Sequence, residues 1–134
     1  MSEVLRHVIN ELASARAGSR ELDVKIGQLM GWRRRVEQYA DDQGSIKDRE
    51  LWIVPDRGEP GRVPRYTTDL QRAYELAIEI DPDHVAGCAW EPGGGSAKWG
   101  DEQTIEAATP ALALCIVALM RHPLGARSAQ TQKQ

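Results

Sequence analysis

The sequence predicts an α+β fold, and three features carry that prediction. Apolar residues at helical spacing open the chain and recur near its middle. Short apolar runs bracketed by Gly and Pro read as paired strands, and Thr109-Pro110 ahead of ALALCIVALM marks a buried helix. The expected order is ααββαββα, with an antiparallel sheet of about four strands flanked by helices as an α/β/α sandwich. A chain of 134 residues, 41% hydrophobic, fits one domain over 1–122. The tail 123–134, reading LGARSAQTQKQ after Pro123, is too poor in apolar surface to order itself.

Ser2 is placed to cap a first helix in which Leu5, Val8, Ile9 and Leu12 share one stripe, and Gly18 is placed to stop it. Ser19 starts a second helix carrying Leu22, Ile26, Leu29 and Met30, with Gly31 as the left-handed residue past its end. The alternation in WRRRVEQY, 32–39, predicts a strand. The polar stretch 40–49 reads as a loop, and LWIV, 51–54, as a second strand pairing antiparallel with the first. Three prolines and two glycines make 55–64 an irregular surface connection. Thr67 or Thr68 caps a third helix with Leu70, Ala73, Tyr74 and Ala77 on one face, widened by Leu76 and Ile80. Asp81 and Pro82 end it. HVAGCAW, 84–90, and SAKWG, 96–100, flank EPGGG, which supplies the positive φ of a hairpin turn. In the last helix ALALCIVALM is apolar on every face, so it belongs in the centre of the core.

Composition removes several classes of function. Seventeen Lys plus Arg against twenty Asp plus Glu give a net charge of -3, without the basic excess that makes nucleic acid an expected partner. The apolar run 111–120 is far short of the roughly 20 residues that span a bilayer. The N-terminal MSEVLRHVINEL lacks the basic flank and long apolar stretch of an export signal. Cys88 and Cys115 lie among apolar residues at no metal-ligand or disulfide spacing, which predicts two buried thiols in a reducing, cytoplasmic compartment.

Candidate chemistry is sparse. Arg33, Arg34 and Arg35 with Arg57, Arg62 and Arg65 form a potential anion patch, but nearby acids make a solvated face the simpler reading. PGGGSAKWG lacks the GxxxxGK-Ser/Thr pattern of a phosphate loop and fits a hairpin. Asp81, Asp83 and His84 offer metal-ligand types with no further His or Cys at ligand spacing, so no metal or cofactor is expected. No Ser or Cys is spaced with His and an acid as a nucleophilic triad. Four tryptophans, Trp32, Trp52, Trp90 and Trp99, fall in or beside strands, where core packing is the usual fate of an indole. Trp together with Arg is also the composition of binding hot spots, and Trp32, Arg34, Trp52, Arg65 and Tyr66 are the candidate ligand-binding residues.

The segments ELDVKIGQLMGW (21–32), VPRYTTDLQRA (63–73) and AATPALALCIVALM (107–120) together resemble the phage ABA sandwich domain of small phage and prophage proteins, over residues 19–121. The resemblance implies an antiparallel sheet between helical layers and brings no catalytic residues. The chain departs from it in the insertion ADDQGSIKDR, the triple Arg, and Ala86 and Ala89 where relatives carry bulkier strand residues. These departures leave strand boundaries between 32 and 64 open. The expected function is a non-catalytic phage or prophage interaction module, binding itself as a homo-oligomer or a host or phage protein. One alternative is a pocket for a small anionic ligand or nucleotide built from Trp32, Arg34 and Arg65. A hydrolase using scattered carboxylates or His84 is the other.

Overall fold

The computed structural model describes residues 2–83 and 86–123. The predicted tail from 124 onward and His84 lie outside the described residues. Among the described residues, four helices and two three-stranded antiparallel sheets follow in the order ααβββαβββα.

Helix α1 spans Glu3–Ser14, and the Ser2 hydroxyl caps it by accepting from the Leu5 amide. It ends four residues short of Gly18. Helix α2 spans Arg20–Leu29, capped by Ser19, and Gly31 follows with a φ of +100°. Strands β1 (Arg33–Ala40) and β2 (Ile46–Ile53) pair along their whole length, from Arg33 opposite Ile53 to Ala40 opposite Ile46. The expected loop 40–49 is therefore corrected: residue 40 and residues 46–49 are strand, and the connection is confined to 41–45. Its turn is held by Asp41, whose Oδ1 accepts from the amides of Gln43 and Ser45. A short β3, Pro60–Gly61, pairs with Trp52 and Ile53.

Helix α3 (Leu70–Ile80) is capped by Asp69, one residue past the expected threonines. Strands β4 (Ala86–Glu91) and β5 (Gly94–Trp99) form the expected hairpin around Pro92-Gly93, with Gly93 at a φ of +78°. A third strand, β6 (Ile105–Ala107), adds to β5. Helix α4 (Pro110–Leu119) begins at the Thr109 cap with Pro110 in its first turn, and all of Ala111 to Leu119 is buried.

The single four-stranded sheet of the prediction is thus two sheets, each hairpin having gained a short third strand. Helix α4 lies across one face of β4-β5-β6, flanked by α1 toward β6 and α3 on the other side. Gly95 makes the close approach possible, since a Cβ there would lie 2.2 Å from the Pro110 nitrogen. The opposite face, carrying Gly87, Ala89, Lys98 and Glu106, is exposed, so among the described residues helices pack on one face of this sheet. The β1-β2 hairpin projects as an arm, anchored at its root where Trp32, Trp52 and Ile53 meet the core and exposed beyond it.

Candidate functional site

The most distinctive surface lies between α3 and β4. Helical spacing divides α3 into two ridges: Ala73, Leu76 and Ala77 are buried, whereas Leu70, Tyr74 and Ile78, at i, i+4 and i+8, stay exposed. The expected grouping of Leu70 and Tyr74 with the buried face is corrected here, because α3 meets α4 through its alanines and leaves the larger side chains beside the contact. Strand alternation puts Ala86, Cys88 and Trp90 on the helix-facing side of β4, opposite Trp99, Ala97 and Gly95 of β5. On this sheet, helix α4 packs chiefly on β5 and touches β4 without burying Cys88 or Trp90. Cys88 is consequently exposed, correcting its expected burial, and Trp90 is 86% exposed.

The result is a groove of about 640 Å³ with Leu70, Tyr74 and Ile78 on one wall and Ala86, Gly87 and Cys88 on the other. Leu114 and Trp99 supply buried apolar surface to it. Trp99 is fixed there: its Nε1-H donates to the Val117 carbonyl at 2.5 Å, and the Arg121 guanidinium lies 5.7 Å from its ring centre. Among the described residues that line the groove, Asp81, the C-cap of α3, is the charged one. Such a surface recognises apolar groups and has little to offer an anion.

None of the five residues singled out from the sequence lines this groove. Trp32 and Trp52 are half-buried against the core, and the Trp32 ring comes 3.4 Å from where a Gly61 Cβ would stand. Tyr66 is buried; loss of solvent, with the Glu79 charge adding to it, pushes its hydroxyl well above the ordinary phenol range against an opposing hydrogen bond with Trp32. Arg34 stands opposite Trp52 on the paired strand, and its Nε donates to Glu50 Oε2 at 2.7 Å. Arg65 is exposed, with its carbonyl accepting from the Asp69 amide in the turn before α3. The structure therefore joins Trp32 to Tyr66 and Arg34 to Trp52, and commits the Arg34 guanidinium to a carboxylate. Arg35 and Arg57 likewise pair with Glu37 and Glu59.

Other sequence candidates resolve as structural parts. Lys98 lies inside β5, and Pro92-Gly93 is a hairpin turn. Cys115 is buried with its Sγ donating to the Tyr66 carbonyl at 3.3 Å, and desolvation raises its thiol far above the reactive range. The His122 ring is buried with Nε2 2.9 Å from the Leu29 carbonyl. Among the described residues no three His, Cys, Asp or Glu side chains gather as a metal site, and no helix is long and apolar enough to cross a membrane.

Sequence reasoning missed the groove. Its signal was present in Leu70, Tyr74 and Ile78 at four-residue spacing, and in Trp90 next to a glycine turn. What the letters do not carry is which apolar stripe a neighbouring helix leaves uncovered.

No protein-family model, curated protein or solved structure matches this chain significantly. Among the described residues, fold and site together define a small α+β protein with an uncovered apolar groove beside the unpaired outer edge of β4.

Proposed function

We propose that this protein is a non-catalytic interaction module that docks an apolar partner segment in the α3–β4 groove, as an accessory protein of the phage or prophage kind its sequence resembles. The observation that carries the reading is the groove walled by exposed Leu70, Tyr74 and Ile78, with Trp90, 86% exposed, two residues beyond the groove-lining Cys88 on the same face of β4. Contiguous apolar surface of this kind on a water-soluble domain marks a contact site, since leaving it wet forgoes about 25 cal/mol for each Å². A large indole beside a concave apolar wall is the usual anatomy of a binding anchor. The free edge of β4 adds main-chain donors and acceptors, the basis of strand-addition recognition.

The test is binding of the environment-sensitive dye anilinonaphthalene sulfonate to the purified protein, mapped by amide chemical shifts. The expected result is enhanced fluorescence, with shifts centred on α3 and β4 and suppressed in Tyr74→Glu. Shifts centred on the arm root around Trp32 and Trp52 would overturn the assignment.

A further inference from the structure

We infer that the occupant of the groove is a second copy of this chain, paired antiparallel through β4 so that the two β4-β5-β6 sheets join into one about a two-fold axis. This rests on the groove reading above and names its partner.

The first argument comes from the strand edges. A free edge exposes unpaired amides and carbonyls, and proteins that remain monomeric blunt such edges with charge, proline or brevity. The arm's outer strand β1 begins with Arg33, Arg34 and Arg35; β3 is two residues long and starts with Pro60; β6 is three residues long and meets α1. Strand β4, AGCAWE, carries none of these protections apart from Glu91 at its end. Small side chains also let a second backbone approach closely.

The second argument is register. A two-fold axis normal to the sheet sets like faces side by side, so the axis must pass through a residue position. Centred on Ala89, the pairing puts Trp90 of each copy beside Cys88 of the other, on the helix-facing side and at the groove. On the opposite side it sets Glu91 of one copy next to Gly87 of the other, and Gly87 is the register partner of Lys98 in its own sheet. A row Lys98, Gly87 and the incoming Glu91 results, with opposite charges across a residue that has no side chain. Each Glu91 meanwhile falls at the far end of the pair from its symmetry mate. The strand is therefore complementary to itself in shape and in charge.

Trp90, Tyr74, Leu70 and Ile78, all exposed in the single chain, are the large apolar side chains such a pairing would cover. The helices α3 of the two copies would close over the new junction and cover the exposed ridge.

Native mass spectrometry and sedimentation of the full chain test the inference. A dimer is expected, weakened roughly 30-fold or more by Trp90→Lys, the scale of a lost anchor residue. Gly87 borders the groove through its backbone, but a Cβ there meets open space on the opposite face of the sheet, so its side chain tests register separately from apolar contact. Gly87→Glu should weaken the dimer several-fold by facing Glu91 of the partner, Gly87→Lys should preserve it, and Gly87→Glu combined with Glu91→Lys should restore it. Circular dichroism of each variant checks that the monomer fold is intact. A monomeric wild type at its solubility limit overturns the inference, as does a dimer indifferent to Trp90→Lys and to the Gly87 charge. A monomer that still binds the dye along α3 and β4 leaves the groove reading standing. A monomer that binds no dye there removes both.

Discussion

Asp23 is fully buried, and its carboxylate joins α2 to the segment that leads into α3. Its Oδ1 accepts from the Thr67 amide at 2.8 Å and from the Thr67 hydroxyl at 2.6 Å, while Oδ2 lies 3.0 Å from Arg20. The Ser19 amide closes the junction by donating to Thr67 Oγ1. A charge this deep is stable only while its lone pairs are occupied. Asp23→Ala lets the threonine hydroxyl turn to the Ser19 carbonyl 3.1 Å away but orphans the buried amide, a cost of about 1–3 kcal/mol. Urea unfolding should show that loss, and a change within error of zero would mean the junction carries no stability. Nothing in the sequence announced this pair. Ser19 was legible as a cap because capping is local, but Asp23 and Thr67 are 44 residues apart and meet only in the folded chain.

Among the elements, the helices were the most legible and the arm the least. Ser2, Ser19 and Thr109 cap their helices as expected, since a side-chain oxygen near the first free amides acts within one turn. In IKDRELWI the first half, IKDR, reads as loop and LWI as strand, because the part of a strand exposed on both faces has no buried face to impose alternation. What makes it a strand is pairing with β1 and cross-strand charge, such as Arg49 with Glu37. The turn depends on Asp41, whose carboxyl is held below the usual aspartate range chiefly by the Ser45 amide, with Gln43 and Lys47 assisting. A lowered folded-state pKa means that its contribution is whole above the ordinary value near 3.8 and is lost as pH falls through the lowered one. Amide exchange at Gln43 and Ser45 should therefore gain protection relative to the acid state as pH rises through that window. Asp41→Asn should remove the pH dependence while keeping an acceptor. A transition unchanged in Asp41→Asn would assign it to another carboxylate.

At the scale of the whole molecule the chain has a dense centre and a sparse extension. Helix α4 touches α1, α3 and all three strands of β4-β5-β6, while the arm beyond its root has a solvated surface, with Ile46 71% exposed. Two paired strands without a covering layer are marginal on their own. Hydrogen exchange should accordingly find amides of residues 36–50 opening well before those of α4, at a free energy far below global unfolding. Equal protection in both would mean that the arm is covered in solution. The groove is the other consequence of this layout: α4 is wide enough for β5 and its neighbours, and α3 approaches through alanines, so the β4 edge is left bare.

What the sequence determined by itself was whatever depends on near neighbours or on composition. This includes the capped helix starts, the glycine hairpin, and the all-apolar α4 that had to be interior because water excludes it from the surface. What only the tertiary structure decided was which of two apolar stripes on α3 is buried, whether Cys88 and Trp90 lie under a helix or in water, and how many strands each hairpin recruits. Those outcomes depend on the distances between elements remote in the chain, and a side chain's identity states its preference for burial without stating whether a neighbour arrives to cover it.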